Sequence, residues 1–267
     1  LTKELVTPYS GKTLYETSGE KSPSLLARLF PSLYFYSGVF CTVIRASRKA
    51  KRGKYGCPEW VGSSLEILER TEATGGKVRI EGLDHLSSFS GPCVYVGNHM
   101  STLETFLLPS ILRPRGPVTF IVKKELLDYP VFGHVMRSRK PIALGRSNPR
   151  EDLETVLREG KELLASGVSV IVFPQTTRAE RFDPARFNTI GAKLAARAKV
   201  PLVPVALKTD FWGTGKLVKD FGAIAPEKRV FFSFGEPLAP QGKGDEAHRA
   251  TVEFISEALG RWEKLPG

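Results

Sequence analysis

The sequence predicts an α/β fold, a mostly parallel central sheet flanked by helices, with an apolar helical hairpin at its N-terminal end. Three observations point there. From residue 77 onward, short β-branched runs alternate with helical periods. Residues 168–173 form the near-continuous apolar run expected of a strand buried on both faces. Before this region, residues 25–44 are apolar and aromatic but broken by Arg28 and Pro31.

In chain order, residues 1–22 are polar and read as an exposed arm. Residues 23–56 form a second unit. Its uninterrupted apolar part after Pro31 has 13 residues, too few for a helix spanning a hydrocarbon core of about 30 Å. Two short helices hinged at Pro31 and lying in one leaflet fit better. Arg45, Arg48, Lys49, Lys51, Arg52 and Lys54 follow at once, and each basic residue near an anionic surface contributes about 1 kcal/mol. The expectation is a membrane-docking helical hairpin, with monotopic or peripheral association at the cytoplasmic face. The alternative is a hairpin packed on the protein's own core with a solvated charge run behind it.

Residues 57–267 are expected to form the α/β domain. Strands are predicted at 77–81, 92–97, 118–122, 142–144, 168–173, 202–207 and 230–234. Helices are predicted after residue 102 and at 124–136, 151–165, 189–199 and 246–264. The helix at 151–165 carries the stripe Leu153, Val156, Leu157, Gly160, Leu163 and Leu164.

The formal net charge of +11 implies a polyanionic neighbour. The basic residues do not interleave with aromatics, which argues against nucleic acid and for an anionic membrane surface. Three scattered cysteines show no metal-ligand spacing and no disulfide framework. The apolar stretch starts late and lacks a cleavage site, so no cleavable signal peptide is expected.

The chemistry gathers at residues 94–104, VYVGNHMSTLE: a strand, a turn at Gly97-Asn98, and a helix start. His99 and Glu104 lie five positions apart, which on a regular helix would turn their side chains about 140° from one another. They meet only if His99 sits in the turn and Glu104 in the first helical turn. A carboxylate so placed fixes the imidazole tautomer and stabilises the imidazolium formed when His takes a proton. Ser101-x-x-Glu104 is equally a capping box, which contributes on the order of 1 kcal/mol to a helix.

Ligands of parallel sheets gather beyond the carboxyl ends of the strands. His99 follows one strand end, and Gln175, Thr176, Thr177 and Arg178 follow another. Lys123 and Lys124 follow a third, and Arg146 a fourth. Arginine and lysine often terminate strands on a surface. Four polar strand ends on one rim, however, predict an anionic ligand beside His99.

These residues resemble the glycerolipid acyltransferases, the lysophosphatidate acyltransferase-like family. Asn98, His99 and Glu104 match its Asn-His-x4-acid motif. Lys123-Lys124-Glu125-Leu126, Pro130, Gly133 and Arg146 resemble its second block; Phe173, Pro174, Thr177 and Arg178 its third motif; Val203-Pro204-Val205 its fourth. The likeness runs from about residue 77 to residue 235. The Pro-hinged segment before it is similar to the docking helices of some bacterial members. Two departures stand out: Glu104 replaces the usual Asp, and Gln175-Thr176 replaces the usual Glu-Gly, leaving Arg178 without that nearby anion.

The resemblance implies acyl transfer from a thioester, acyl-CoA or acyl-carrier protein, to a lysophospholipid hydroxyl in phospholipid biosynthesis. His99 and Glu104 would be catalytic. Asn98, Lys123, Lys124, Arg146, Gln175, Thr176, Thr177, Arg178 and Pro204 would bind substrate. Backbone N–H groups near the helix start would meet the oxyanion, with no metal or cofactor required. The acceptor expected is 1-acylglycerol 3-phosphate; an amino lipid or glycolipid acceptor, or a non-catalytic lipid binder, is the competing reading.

Overall fold

The structure, a computed structural model, describes residues 6–19, 22–175, 177–216 and 218–265. One sheet organises it, in the order β1-β2-β8-β7-β3-β6-β4-β5. Its strands are β1 (Tyr15–Glu16), β2 (Val78–Glu81), β3 (Val94–Gly97), β4 (Val118–Lys123), β5 (Ile142–Leu144), β6 (Ser169–Val172), β7 (Leu202–Lys208) and β8 (Val230–Phe234). The pairs β7–β3, β3–β6, β6–β4 and β4–β5 are all parallel. Among the named strands, antiparallel pairing is confined to β7–β8 and β1–β2.

Side chains alternate between two layers, as a pleated strand requires. Tyr95, Ile171, Val203 and Phe232 face a core completed by α2 (Pro31–Lys51), α3 (Cys57–Ala73) and α4 (Leu103–Leu112). Val94, Val96, Val170, Val172 and Leu202 face the other core, covered by α6 (Pro149–Ala165), α7 (Ile190–Ala198) and α8 (Asp245–Glu263). The connection after β3 therefore leaves on one face, through α4. The connection after the adjacent β6 leaves on the other, through α7. Such a divergence opens a crevice at the carboxyl ends of the two strands.

Three expectations change. Residues 6–19 stay mostly exposed, as expected, but they are docked on the domain and do not form a free arm. Tyr9 is 5% exposed and packs edge-on against Tyr15, whose hydroxyl donates to Glu72 at 2.6 Å. Tyr15 and Glu16 pair with β2, because the sheet edge offers unpaired backbone groups. The expected helix at 124–136 splits into a 3-10 turn, Lys124–Leu127, and α5 (Phe132–Ser138). Pro130 disfavours helical geometry at Tyr129, and Val131 sits at φ 66°.

The Pro31 break is real, but its two sides are unequal: α1 (Leu25–Leu29) is short, and α2 runs on through Lys51. Phe35, Gly38, Val39, Thr42 and Ala46 of α2 are buried against the domain. Leu25, Leu26, Leu29, Phe30, Leu33 and Phe40 of α1, the α1–α2 junction and α2 stay exposed on the other side. The helix thus has both a core face and an exposed apolar face, on which Phe40 stacks against Phe221. The helix α3 was not expected, although Trp60, Ser64, Ile67, Leu68 and Thr71 repeat at helical spacing behind Pro58 in its first turn.

Candidate active site

The crevice is floored by the turn after β3. Gly97 ends the strand because a Cβ there would come within 2.9 Å of the Val205 carbonyl oxygen. Asn98 then acts as an extra peptide unit. Its amide donates to the Leu207 carbonyl at 2.7 Å, and its oxygen accepts from the Leu207 N–H at 2.8 Å. This ties the turn to β7.

Glu104 lies in the first turn of α4 and is fully buried. Its Oε1 meets His99 Nδ1 at 2.8 Å and accepts from the N–H groups of Met100 and Ser101. Its Oε2 accepts from the hydroxyls of Ser101 at 3.0 Å and Thr209 at 2.5 Å. Burial pushes the Glu104 carboxyl up. The hydrogen bond and charge of His99, with the Thr209 hydroxyl, outweigh it and hold the group below the usual range. A carboxylate can only accept, so Nδ1 carries the proton in neutral His99 and Nε2 is left as the base. The ring stacks on Phe173 with 4.4 Å between centroids and 8° between planes. The capping box forms only in half: Glu104 accepts from the Ser101 N–H, but the helix is capped at Thr102 and the Ser101 hydroxyl accepts from the Leu103 N–H at 3.0 Å, not from that of Glu104. One carboxylate serves both the helix start and the imidazole.

Gln175 follows β6 and is buried; its side-chain oxygen accepts the His99 N–H at 2.6 Å. Arg178 lies farther along the same segment. Its guanidinium pairs with Asp220 at 2.5 Å and donates to the Thr102 hydroxyl. Gln175 leaves Arg178 without the usual neighbouring Glu, and Asp220 supplies an anion instead from a loop after β7. Lys123 ends β4 and Lys124 follows it, both exposed. Arg146 follows β5 at φ 58°, its N–H donating to Asp152 at 3.3 Å. Strands about 4.8 Å apart put the bases of these groups roughly 5, 10 and 14 Å from the His99 strand.

The structure therefore gathers His99, Glu104, Arg178, Lys123, Lys124 and Arg146 on one rim, with Thr177 exposed beside them. Thr176 lies outside the described residues. Two expected ligand groups are framework instead. Asn98 is 2% exposed with both ends of its amide spent on β7. Pro204 is buried in mid-strand, paired with Val96 and closely approached by Gly235. Gln175 spends its carbonyl oxygen on the His99 backbone. The amides of His99, Met100, Ser101 and Leu103 are likewise engaged, so the helix start does not offer them to an oxyanion. Thr209, Phe173 and Asp220 were not anticipated as site residues.

Comparison with known proteins bears directly on this arrangement. Residues 77–208 match the family model described as Acyltransferase. The 1-acyl-sn-glycerol-3-phosphate acyltransferase of Pseudomonas aeruginosa is 35% identical over 190 residues, covering 69% of this chain and 70% of that one. The chain belongs to the glycerolipid acyltransferase family. Its chemistry is acyl transfer. A chloroplastic relative from Brassica napus, named 1-acyl-sn-glycerol-3-phosphate acyltransferase BAT2, is 35% identical over 142 residues; the match covers 53% of this chain and 39% of that relative. The crystal structure of the LPA acyltransferase PlsC from Thermotoga maritima shares the fold, with a TM-score of 0.64, 22% identity, and coverage of 90% of this chain and 97% of that one.

Proposed function

We propose that the chain moves an acyl group from a thioester donor, acyl-CoA or acyl-carrier protein, to the free hydroxyl of a lysophospholipid, 1-acylglycerol 3-phosphate. The observation that carries this reading is the His99–Glu104 pair at 2.8 Å, one strand away from Arg178 on the same rim. His99 Nε2 takes the hydroxyl proton as the oxygen attacks the thioester carbonyl. Glu104 stabilises the imidazolium, which returns the proton to the departing thiolate. The acceptor's phosphate is only a few bonds from its reacting hydroxyl. Arg178 is therefore its first partner, with Lys123 and Lys124 next and Arg146 at the outer end.

The exposed apolar face of α1 and α2 supports docking on an anionic membrane. Arg48, Lys49 and Lys51 close α2 beside it. They also complement the helix dipole, so their position alone does not demand a membrane. Among the described residues no helix is long and apolar enough to cross a membrane. The test is acyl transfer to 1-acylglycerol 3-phosphate in anionic mixed micelles, together with vesicle sedimentation. Activity confined to a different acceptor would overturn the acceptor assignment. Unchanged sedimentation after Leu29→Asp and Leu33→Asp would move the docking surface elsewhere.

A further inference from the structure

The loop joining β7 to β8 lies beyond the matched residues 77–208, yet it reaches into the rim. Its neck is closed by a Trp212–Ile224 bridge and by the Gly213 N–H on the Ala223 carbonyl. The Trp212 indole donates to the Asp220 carbonyl oxygen at 2.9 Å, and the Tyr36 hydroxyl of α2 donates to the Gly222 carbonyl at 2.7 Å. The backbone around Asp220 is thus held from both sides. Its carboxylate, by contrast, is reachable by solvent, with the side chain 36% exposed against 20% for Arg178. The carboxylate therefore sits on the arginine nearest His99, where an acceptor's anion would bind.

We propose that Asp220 sets acceptor affinity: its carboxylate occupies the anion position on Arg178 until an acceptor phosphate displaces it. This rests on the acyltransferase reading above and assigns a regulating contact to its acceptor site. A phosphate monoester carries a charge of roughly −1.5 to −2 with three acceptor oxygens, against −1 and two oxygens for a carboxylate. It can outcompete Asp220. A phosphodiester headgroup carries one negative charge and gains little over the carboxylate, and an uncharged headgroup gains nothing. Displacing Asp220 costs every acceptor that binds Arg178 the same free energy, so the carboxylate lowers acceptor affinity without setting the preference among anionic headgroups. The loop supplies an anion beside Arg178 where the family's usual Glu is replaced by Gln175, whose own oxygen is turned to the His99 backbone.

Asp220→Asn keeps the shape and an acceptor oxygen while removing the charge. With an acyl-CoA donor, KM for 1-acylglycerol 3-phosphate should fall about three- to tenfold with kcat within about twofold. Inorganic phosphate, used as a competitive inhibitor, should bind more tightly by a similar factor. The preference for 1-acylglycerol 3-phosphate over lysophosphatidylglycerol, a phosphodiester, should not shrink, because the displacement cost removed is common to both. A KM that rises or stays fixed, with unchanged phosphate inhibition, would show that Asp220 merely positions Arg178 and would overturn the proposal. Wild-type enzyme that fails to acylate 1-acylglycerol 3-phosphate would instead reject the acceptor reading itself, so the two failures are separable.

Discussion

The turn after β3 and the basic rim across β6, β4 and β5 face one crevice, yet they are held in opposite ways. Glu104 is fully buried and accepts hydrogen bonds from His99, Met100, Ser101 and Thr209. His99 is fixed through its ring nitrogen, its ring face and its backbone N–H. Lys123, Lys124 and Arg146 are exposed at strand ends. The proton-transfer pair tolerates little movement, because a base must meet its proton at hydrogen-bond distance. A headgroup's charge can be met from several directions by long side chains. Change in the first region should therefore damage turnover and stability, and change in the second should damage affinity.

The sharpest way to break this contrast is Glu104→Ala. It strands buried donors on Ser101 and Thr209 and releases the imidazole. A loss of about 3–5 kcal/mol in stability and about 10²–10⁴ in kcat is expected, read by denaturant unfolding and steady-state rates. A mild variant would mean the carboxylate is not the organiser of the turn. Glu104→Gln isolates the charge. With the folded value depressed below 4.5, the carboxylate's contribution is full above 4.5 and fades as pH falls through the folded value. Wild type should therefore lose melting temperature in that acid range more steeply than Glu104→Gln; parallel curves would contradict the linkage.

On the rim, Arg178→Lys keeps the charge but loses the fork. KM for the acceptor should rise about tenfold with a smaller change in kcat. Arg146→Ala, three strands from His99, should raise KM only about two- to fourfold at low salt, and less as salt rises. If Arg146→Ala proved the costlier of the two, the headgroup would have to sit farther out along the rim.

How much of this was legible in the sequence follows from the range of each contact. His99 and Glu104 could be paired from spacing alone, because the turn and helix start are local. The strand ends carrying Arg178, Lys123 and Arg146 were legible because parallel strands converge their carboxyl ends. Asn98 and Gln175 were legible as polar groups at the site, but not in their roles. Their partners, Leu207 and the His99 backbone, belong to strands or turns far away in the chain. Thr209 and Asp220 carried no local signal, since each acts more than 40 residues from the group it touches. The α3 stripe was a different case: its spacing was visible at Trp60, Ser64, Ile67 and Thr71 and went unused. Pro204 stood in a recognisable run, yet its surroundings are those of a buried strand.

The central claim is that His99 is the base for acyl transfer to a phosphate-bearing acceptor. Its most direct test is thiol release from a labelled acyl-CoA in anionic mixed micelles, with and without 1-acylglycerol 3-phosphate, for wild type and His99→Ala. The expected result is acceptor-dependent release by wild type that drops by about 10²–10⁴ in a variant with unchanged melting temperature. Equal acceptor-dependent release by both proteins would contradict the account.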